Sequence, residues 1–209
     1  QLFKDLENEC GFHGNAIFSR YPIRNAALIP IDDGGEWFVR APKNDGQHRV
    51  GGRMAIAAEL ETPNGPLAVA AVHYESESTP ATRGKQTRRM LAAMDGLYGD
   101  LPVVIGGDLN TATLAADTHS RHQRLNEPQD DEPCFQIFAA HDYRWGDGNT
   151  GETTTRHPPN RIIRHPHKTI DWLFVRGGRL FDPAVIPAVL DDDDYLSDHD
   201  MVAAYLSLS

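Results

Sequence analysis

Five polar residues in the C-terminal half of the chain stand where apolar runs begin or end. They are Asp108, Asn110, Asp171, Asp198 and His199. An apolar run that gives way to a polar residue is typical of a buried strand whose end presents a side chain. Carboxylates, an amide and an imidazole held in this way supply the base and the oxygen ligands that cleavage of a phosphate ester needs. The pattern therefore predicts one hydrolytic site assembled from distant parts of the sequence.

His199 is the natural general base of this set. A phosphodiester repels nucleophiles and has a poor leaving group, so an enzyme must deprotonate water and stabilise developing charge. An imidazole has a reference pKa of ~6.5 and can accept a proton at neutral pH. Taken singly, these residues have ordinary structural explanations: Asp108 and Asn110 can form an Asx-type turn, and His73 can be a satisfied interior histidine. Their occurrence together favours the catalytic interpretation.

Five short segments occur in a characteristic order along the chain. They are GNAIFSRYPI at 14–23, VHYES at 72–76, GGDLNT at 106–111, DWLF at 171–174 and SDH at 197–199. This order resembles the endonuclease/exonuclease/phosphatase superfamily, which includes pancreatic deoxyribonuclease, abasic-site endonucleases, bacterial sphingomyelinases and inositol polyphosphate 5-phosphatases. The resemblance implies an α+β fold, a four-layer α/β/β/α sandwich with two mixed β-sheets packed face to face and helices outside. It also implies a single domain over residues 1–209.

The resemblance assigns a role to each site residue. Asp171 orients His199, Asp108 lies beside the scissile phosphate, and Asn110 and His73 donate hydrogen bonds to phosphoryl oxygens. Asp198 is the principal metal ligand in this part of the chain, with Asp108 and Asn110 beside it. The expected ion is Mg²⁺, with Mn²⁺ as the alternative, since hard divalent cations prefer oxygen ligands. Arg53 and Gln86 are interpreted as supports of the cleft floor.

The N-terminus departs from the family pattern. In the superfamily a metal-binding Glu, usually in a Gln-Glu pair, lies upstream of the segment that corresponds to 14–23. This sequence starts at Gln1 and reaches Gly14 almost at once, and residues 1–7 are interpreted as the tail of the helix that follows the Gln-Glu strand. Glu7 and Glu9 have the pattern of a solvated helix face. The resemblance therefore predicts that the domain is N-terminally incomplete and that a metal ligand precedes Gln1.

Charge narrows the possible substrates. The 209 residues carry a formal net charge of −10, which argues against broad binding to nucleic-acid backbones. Residues 156–168 are the exception, with four Lys or Arg, three His and no acid. Arg164 and Lys168 in this segment are predicted to contact substrate phosphates, and the alternative is a solvated, proline-rich loop. No stretch approaches the roughly 18 consecutive apolar residues of a membrane span.

The sequence also predicts, in outline, the helices and strands that hold these motifs. A hairpin is predicted over 53–72, with Asn64 and Gly65 supplying positive backbone angles at its turn. A helix is predicted from Thr82 to Tyr98 and a short one over 133–141, while 112–131 and 145–168 are predicted to be irregular. Further strands are predicted over 169–175, 184–190 and 201–208.

The function predicted is a metal-dependent hydrolase of phosphate esters. A phosphodiesterase or nuclease is favoured over a monoesterase because residues 73–76 resemble the nuclease and sphingomyelinase branches. The substrate, a nucleic acid, a lipid or a small phosphoester, is left open, as is the cellular compartment, and no protein partner is evident. The alternative is a non-catalytic or truncated member of the same fold that acts as a binding module.

Overall fold

The structure is a computed structural model. It describes residues 14–33, 52–76, 78–156, 166–191 and 194–208. The helix predicted over residues 1–7 and the predicted substrate contact Arg164 lie outside these ranges.

A five-stranded sheet forms the centre of the described structure. Its strands are β1 (Ile23–Pro30), β2 (Met54–Thr62), β3 (Gly65–His73), β4 (Val103–Asp108) and β5 (Asp171–Arg176), in that spatial order. Neighbouring strands are antiparallel except β3 and β4, which run parallel. As a result β3 and β4 finish at the same end of the sheet at which β2 and β5 begin. This end is called the Asp108 end below.

The β2–β3 hairpin confirms the strand, turn and strand predicted over 53–72. Small and β-branched residues dominate both strands and suit a pleated, buried surface. At the turn, Thr62 Oγ1 donates to Gly65 O at 2.6 Å, and Gly65 has a φ of +110° that a residue with a Cβ rarely adopts. Asn64 does not share the positive angle, so the glycine alone provides the reversal.

Helix α1 (Pro80–Tyr98) makes the crossover that the parallel strands β3 and β4 require, and it confirms the helix predicted from Thr82 to Tyr98. Thr79 caps it by accepting a hydrogen bond from Thr82 N, and Pro80 occupies the first turn, where no backbone donor is needed. The buried face changes character along the helix. Its first half buries polar Arg83, Gln86 and Thr87, whereas its second half buries Met90, Leu91, Met94 and Tyr98.

An aromatic cluster joins the helical layer to the sheet. Helix α3 (Pro133–Ala140) confirms the short helix predicted over 133–141 and places two phenylalanines against β5. Phe135 packs edge-on against Trp172 with ring centroids 4.7 Å apart, and Phe138 stacks on Phe174 at 3.8 Å. Aromatic side chains bury large apolar areas, so these pairs fix α3 and β5 relative to one another.

A second sheet region contains the last strands of the chain. β6 (Arg179–Ile186) pairs antiparallel with β9 (Met201–Ser207), and β7 (Val189–Asp191) pairs with β8 (Asp194–Tyr195). The single strand predicted over 184–190 is wrong, because β6 ends before Pro187 and β7 begins after it. Proline has no N–H to donate to a ladder, and Ala188 N donates instead to Asp200 Oδ1 at 2.9 Å.

The segment 112–131, predicted to be irregular, contains the six-residue helix α2 (Arg121–Asn126). Ser120 and Gln123 form a capping box at its start, a pattern visible in the sequence as Ser-x-x-Gln. The predicted sandwich class is confirmed, with a mixed five-stranded sheet, a second sheet and helices packed outside. In the described residues the last strands form two antiparallel pairs, β6–β9 and β7–β8. None of the described helices is long and apolar enough to cross a membrane.

Candidate active site

Three strands bring predicted site residues together at the Asp108 end of the sheet. His73 is the last residue of β3, Asp108 the last of β4 and Asp171 the first of β5. The register pairs His73 with Asp108 and Asp108 with Asp171. Residues paired directly across neighbouring strands lie about 5 Å apart, so the sheet itself sets the spacing of the three.

Gly107 allows the close approach of β3 and β4 at this end. Its φ is +146°, and a Cβ built there would lie 1.9 Å from Val72 O, which is far inside any real contact. A side chain at this position would push the strands apart just before His73 and Asp108.

The chain turns sharply after Asp108. Asp108 Oδ1 accepts a hydrogen bond from Asn110 N at 2.7 Å, which is the Asx-type turn considered for this pair. Asn110 has a φ of +49°, a left-handed conformation that asparagine tolerates better than most residues. Its Nδ2 donates to Tyr74 O at 2.9 Å. One Nδ2 hydrogen of Asn110 therefore connects the loop after β4 to the loop after β3. The second Nδ2 hydrogen is the one left for the predicted hydrogen bond to a phosphoryl oxygen.

His199 and Asp171 lie within hydrogen-bonding distance although 28 residues separate them. His199 Nδ1 lies 2.9 Å from Asp171 Oδ2. Residues 154–156 hold the two in place. Thr155 forms an antiparallel bridge with His199, and Thr154 Oγ1 accepts from Asp171 N at 3.2 Å. Thr154 is fully buried, and nothing in the sequence pattern pointed to it.

Burial and neighbouring carboxylates dominate the electrostatics of the site. Burial and the neighbouring Asp171 carboxylate raise the pKa of Asp108 to about 7, although His199, the Asn110 N–H and Arg53 act in the opposite direction. The hydrogen bond to Asp171 raises the pKa of His199 to about 9, with the charges of Asp171, Asp108 and Asp198 adding to it and burial opposing it. Both shifts favour the protonated forms of Asp108 and His199 at neutral pH.

The donor set fits a divalent cation. Ligand atoms of Asp108, Asp171 and His199 lie within 4.8 Å of one another, and they form the metal-type cluster found among the described residues. A cation beside the two carboxylates would relieve the repulsion that raises the pKa of Asp108. Carboxylate oxygens are also what Mg²⁺ prefers. Asp108 and Asp171 could hold the ion while His199 keeps a ring nitrogen for proton transfer.

The other predicted site residues lie close to this cluster or outside it. His73 Nε2 lies 3.4 Å from Asp108 Oδ2, so this imidazole contacts the central carboxylate. Asp198 is exposed and not a member of the cluster, although its charge reaches His199. Lys168 is half-buried, and its backbone N donates to Thr155 Oγ1 at 2.8 Å, which places it beside the segment that holds His199.

Arg53 and Glu75 form an ion pair near the cluster that the sequence only partly indicated. Arg53 directly precedes β2 at the Asp108 end, and its Nε donates to Glu75 Oε2 at 3.0 Å. Glu75 is fully buried, and its backbone N donates to Gln86 Oε1 at 3.4 Å. Arg53 and Gln86 thus support the loop after His73, and their role as supports of the cleft floor stays a prediction. Glu75 was missed because a lone Glu after a strand usually faces water.

Comparison with known families identifies the chain. Residues 4–199 match the family described as the endonuclease/exonuclease/phosphatase family. The chain belongs to the endonuclease/exonuclease/phosphatase family. Its members include nucleases, phosphodiesterases and phosphatases, are typically hydrolases of phosphoesters and generally depend on divalent metal ions. No curated protein matches the chain.

Solved structures of the endonuclease/exonuclease/phosphatase family share this fold at low sequence identity. The family protein from Beutenbergia cavernae is 20% identical with a TM-score of 0.57, and the match covers 91% of this chain and 46% of that one. The human Nocturnin catalytic domain is 17% identical at 0.55, covering 91% and 60%. A Bacteroides thetaiotaomicron mannosyl-6-phosphatase is 15% identical at 0.55, covering 90% and 67%. The chain thus spans from about half to two thirds of these proteins.

Proposed function

We propose that this family member is a divalent-metal-dependent phosphodiesterase in which His199, oriented by Asp171, takes the proton from the attacking water. The observation that carries the proposal is the 2.9 Å contact between His199 Nδ1 and Asp171 Oδ2 next to the Asp108 carboxylate. Because Nδ1 is engaged by Asp171, the imidazole is held in one orientation and its Nε2 is the atom that can accept a proton.

The remaining residues handle charge and position. Asp171 stabilises the imidazolium that forms when His199 takes up a proton. His73 and Asn110, on either side of Asp108, would donate to the phosphoryl oxygens, and Asp198 would add a further carboxylate at the rim. A bound Mg²⁺ would neutralise phosphoryl charge and oppose the carboxylate field that keeps His199 protonated. Lys168 would meet phosphates that flank the scissile one.

Two solved relatives bear on the substrate. The Nocturnin catalytic domain was solved with a bound sulfate anion, a tetrahedral oxyanion of the same shape as phosphate. The mannosyl-6-phosphatase acts on a phosphomonoester, as its name states, and makes monoester hydrolysis the second candidate. The segment His73 to Ser76 favours the diester, since it resembles the nuclease and sphingomyelinase branches of the family.

A substrate panel tests the proposal. The full-length protein is assayed with Mg²⁺, with Mn²⁺ and with EDTA on bis-p-nitrophenyl phosphate, p-nitrophenyl phosphate, single- and double-stranded DNA, RNA, sphingomyelin and phosphoinositides. We expect turnover of a diester that EDTA abolishes. In Lys168→Ala, KM for that diester should rise a few-fold, and more at low salt, because salt screens the attraction between the Lys168 charge and substrate phosphates.

Three outcomes would contradict the proposal. Turnover that persists in EDTA would show that no divalent metal is required. A preference for p-nitrophenyl phosphate would show that the protein is a monoesterase. Binding of a phosphate ester without turnover of any substrate would favour the alternative of a binding module.

A further inference from the structure

A fully buried ion pair joins α1 to the start of α3. Arg83 Nε and Nη2 donate to Glu132 Oε2 and Oε1 at 2.9 and 2.6 Å, and the two residues are 1% and 0% exposed. Taking two charges out of water is costly, and apolar side chains of similar volume often replace such a pair without loss of stability. Stability alone therefore does not account for charges at these two positions.

The arginine also holds the loop that follows β3. Arg83 Nη1 donates to Ser78 O at 3.2 Å, and Ser78 Oγ donates to Glu75 O at 2.7 Å. Glu75 lies two residues after His73, the last residue of β3. Arg83 is thus connected through two hydrogen bonds to the backbone beside a predicted site residue.

The glutamate holds the loop that follows β4. Thr113 Oγ1 donates to Glu132 Oε1 at 2.5 Å, and Thr113 lies three residues after Asn110. Since Thr113 and Glu132 stand near the two ends of the segment 112–132, their bond closes this segment at its base. The Glu132 carboxylate therefore binds Arg83 of α1 and also fixes the start of the loop that follows Asp108.

Hydrogen bonds also connect the segment 112–132 to the region around His199, the proposed general base. Ala116 N donates to His167 O at 2.8 Å, and Lys168 N donates to Thr155 Oγ1 at 2.8 Å. Thr155 pairs with His199. Hydrogen bonds, joined by short stretches of backbone, therefore connect the buried ion pair to both loops of the site and to the segment that pairs with His199.

We propose that the Arg83–Glu132 ion pair is a positioning device for the active site, fixing the loop after β3 against the loop after β4. The inference rests on the proposed function. Arg83 and Glu132 are positioning residues, since neither reaches the Asp108 cluster. Displacing a catalytic group by about 1 Å can lower turnover about 10²-fold, so small loop shifts matter.

The first test replaces the ion pair by apolar residues of similar volume. We expect the double variant Arg83→Met/Glu132→Leu to unfold at a temperature close to that of the parent. Its kcat on the diester should fall about 10²-fold while KM changes less than about 3-fold. Arg89→Met is the matched control, because Arg89 lies on the same helix in an exposed pair with Asp33 and should leave kcat unchanged. A stable double variant with the kcat of the parent would overturn the proposal.

The second test keeps both charges and removes only the bond at the base of the loop, which covers the case in which the double variant does not fold. Thr113→Val should lower kcat about 10-fold, and Thr113→Ser, which restores the hydroxyl, should recover it. A merely structural role predicts that neither variant changes kcat below the melting temperature, and that result would overturn the proposal.

Hydrogen exchange separates this inference from the proposed function. In Thr113→Val, exchange of the backbone amides of residues 75, 76, 78 and 79 and of residues 110–115 should accelerate together, whereas in Thr113→Ser it should match the parent. If the parent hydrolyses no substrate, the proposed function fails and the exchange result alone decides about the ion pair. Unchanged exchange in Thr113→Val would show that the pair does not fix the loops.

Discussion

Two histidine–aspartate pairs of nearly equal geometry lie at opposite ends of β5. His199 Nδ1 lies 2.9 Å from Asp171 Oδ2, and Asp171 begins the strand. His141 Nδ1 lies 2.8 Å from Asp95 Oδ2, and Asp95 also binds Arg176, which ends the strand. At about 3.3 Å per residue the two ends of β5 are roughly 17 Å apart. One pair thus lies at the predicted catalytic site at the start of β5, and the other lies at a helix junction at the end of β5.

The surroundings of each pair decide what it can do. Burial acts to raise the pKa of Asp95, but hydrogen bonds from Arg176 and His141 outweigh it and leave the pKa below its ordinary value. The charge of Asp95 is thus compensated, and its bonds tie α1, α3 and β5 together. Around His199 the nearby charges are carboxylates, and its pKa rises to about 9. Nearly equal distances therefore accompany a charge-compensated helix junction in one place and, in the other, a histidine whose pKa is raised by carboxylates at the proposed catalytic site.

The largest expected contrast is in turnover. His199→Ala removes the proposed base and should lower kcat by about 10²-fold or more, whereas His141→Ala should leave kcat within about 2-fold of the parent. Asp171→Asn should cost a similar factor, because the wrong imidazole tautomer is favoured. The loss in the His199→Ala/Asp171→Asn double variant should match a single loss, since both residues serve one proton transfer. Steady-state kinetics on the diester would refute this if the two losses multiplied or if His141→Ala were equally damaging.

The reverse contrast is expected in stability. Asp95→Asn should lower the free energy of unfolding by about 1–2 kcal/mol, because it leaves the Arg176 guanidinium without its partner while the partly exposed Asp95 side chain is screened by water. Since the folded-state pKa of Asp95 is lowered, this stabilisation is present above the unfolded-state pKa near ~3.9 and is lost as pH falls through the folded-state value. Urea denaturation at several pH values measures it. A deficit that did not shrink as pH fell below the unfolded-state pKa would contradict the assignment.

The smallest expected effect is a shift in titration. In EDTA-treated protein the ring signals of His199 should titrate with a pKa of about 9, and saturating Mg²⁺ should lower that pKa by about one unit or more, because a nearby cation disfavours the imidazolium. Asp108→Asn should also lower it by removing one of the carboxylates that raise it. If neither Mg²⁺ nor Asp108→Asn changed the pKa of His199, the surrounding charges would not be what distinguishes the His199–Asp171 pair from the His141–Asp95 pair.

The sequence predicted the contact between Asp171 and His199 and missed the contact between Asp95 and His141 for a physical reason. Asp171 and His199 stand in ordered motifs at strand ends, where β registers fix geometry over long sequence distances. Asp95 and His141 lie on a helix and at a helix end, where charged residues are common and no spacing marks a partner 46 residues away. A contact of this kind depends on how α1 and α3 pack, and that packing is set by apolar neighbours.

The fold itself was predictable where local signals and the family order agreed. The hairpin, α1 and β5 follow from periodicity and turn residues, and α2 could have been found from its capping box. Pro187 could have corrected the strand predicted over 184–190. The positions of Asp198 and Thr154 relative to the cluster could not have been predicted, because they depend on backbone pairing between residues 154–156 and 198–200.

The wide spacing of the site residues along the chain also affects how the protein must mature. His73, Asp108, Asp171 and His199 meet only after loops of tens of residues have closed, and long-range strand pairing is the slow part of folding. A chain still in synthesis has no residue 199 to place against Asp171, and a chain whose strands have not yet paired has no complete cluster. Under the proposed mechanism hydrolysis would begin only with the finished fold, so specific activity would report the natively folded fraction of a preparation more strictly than solubility does.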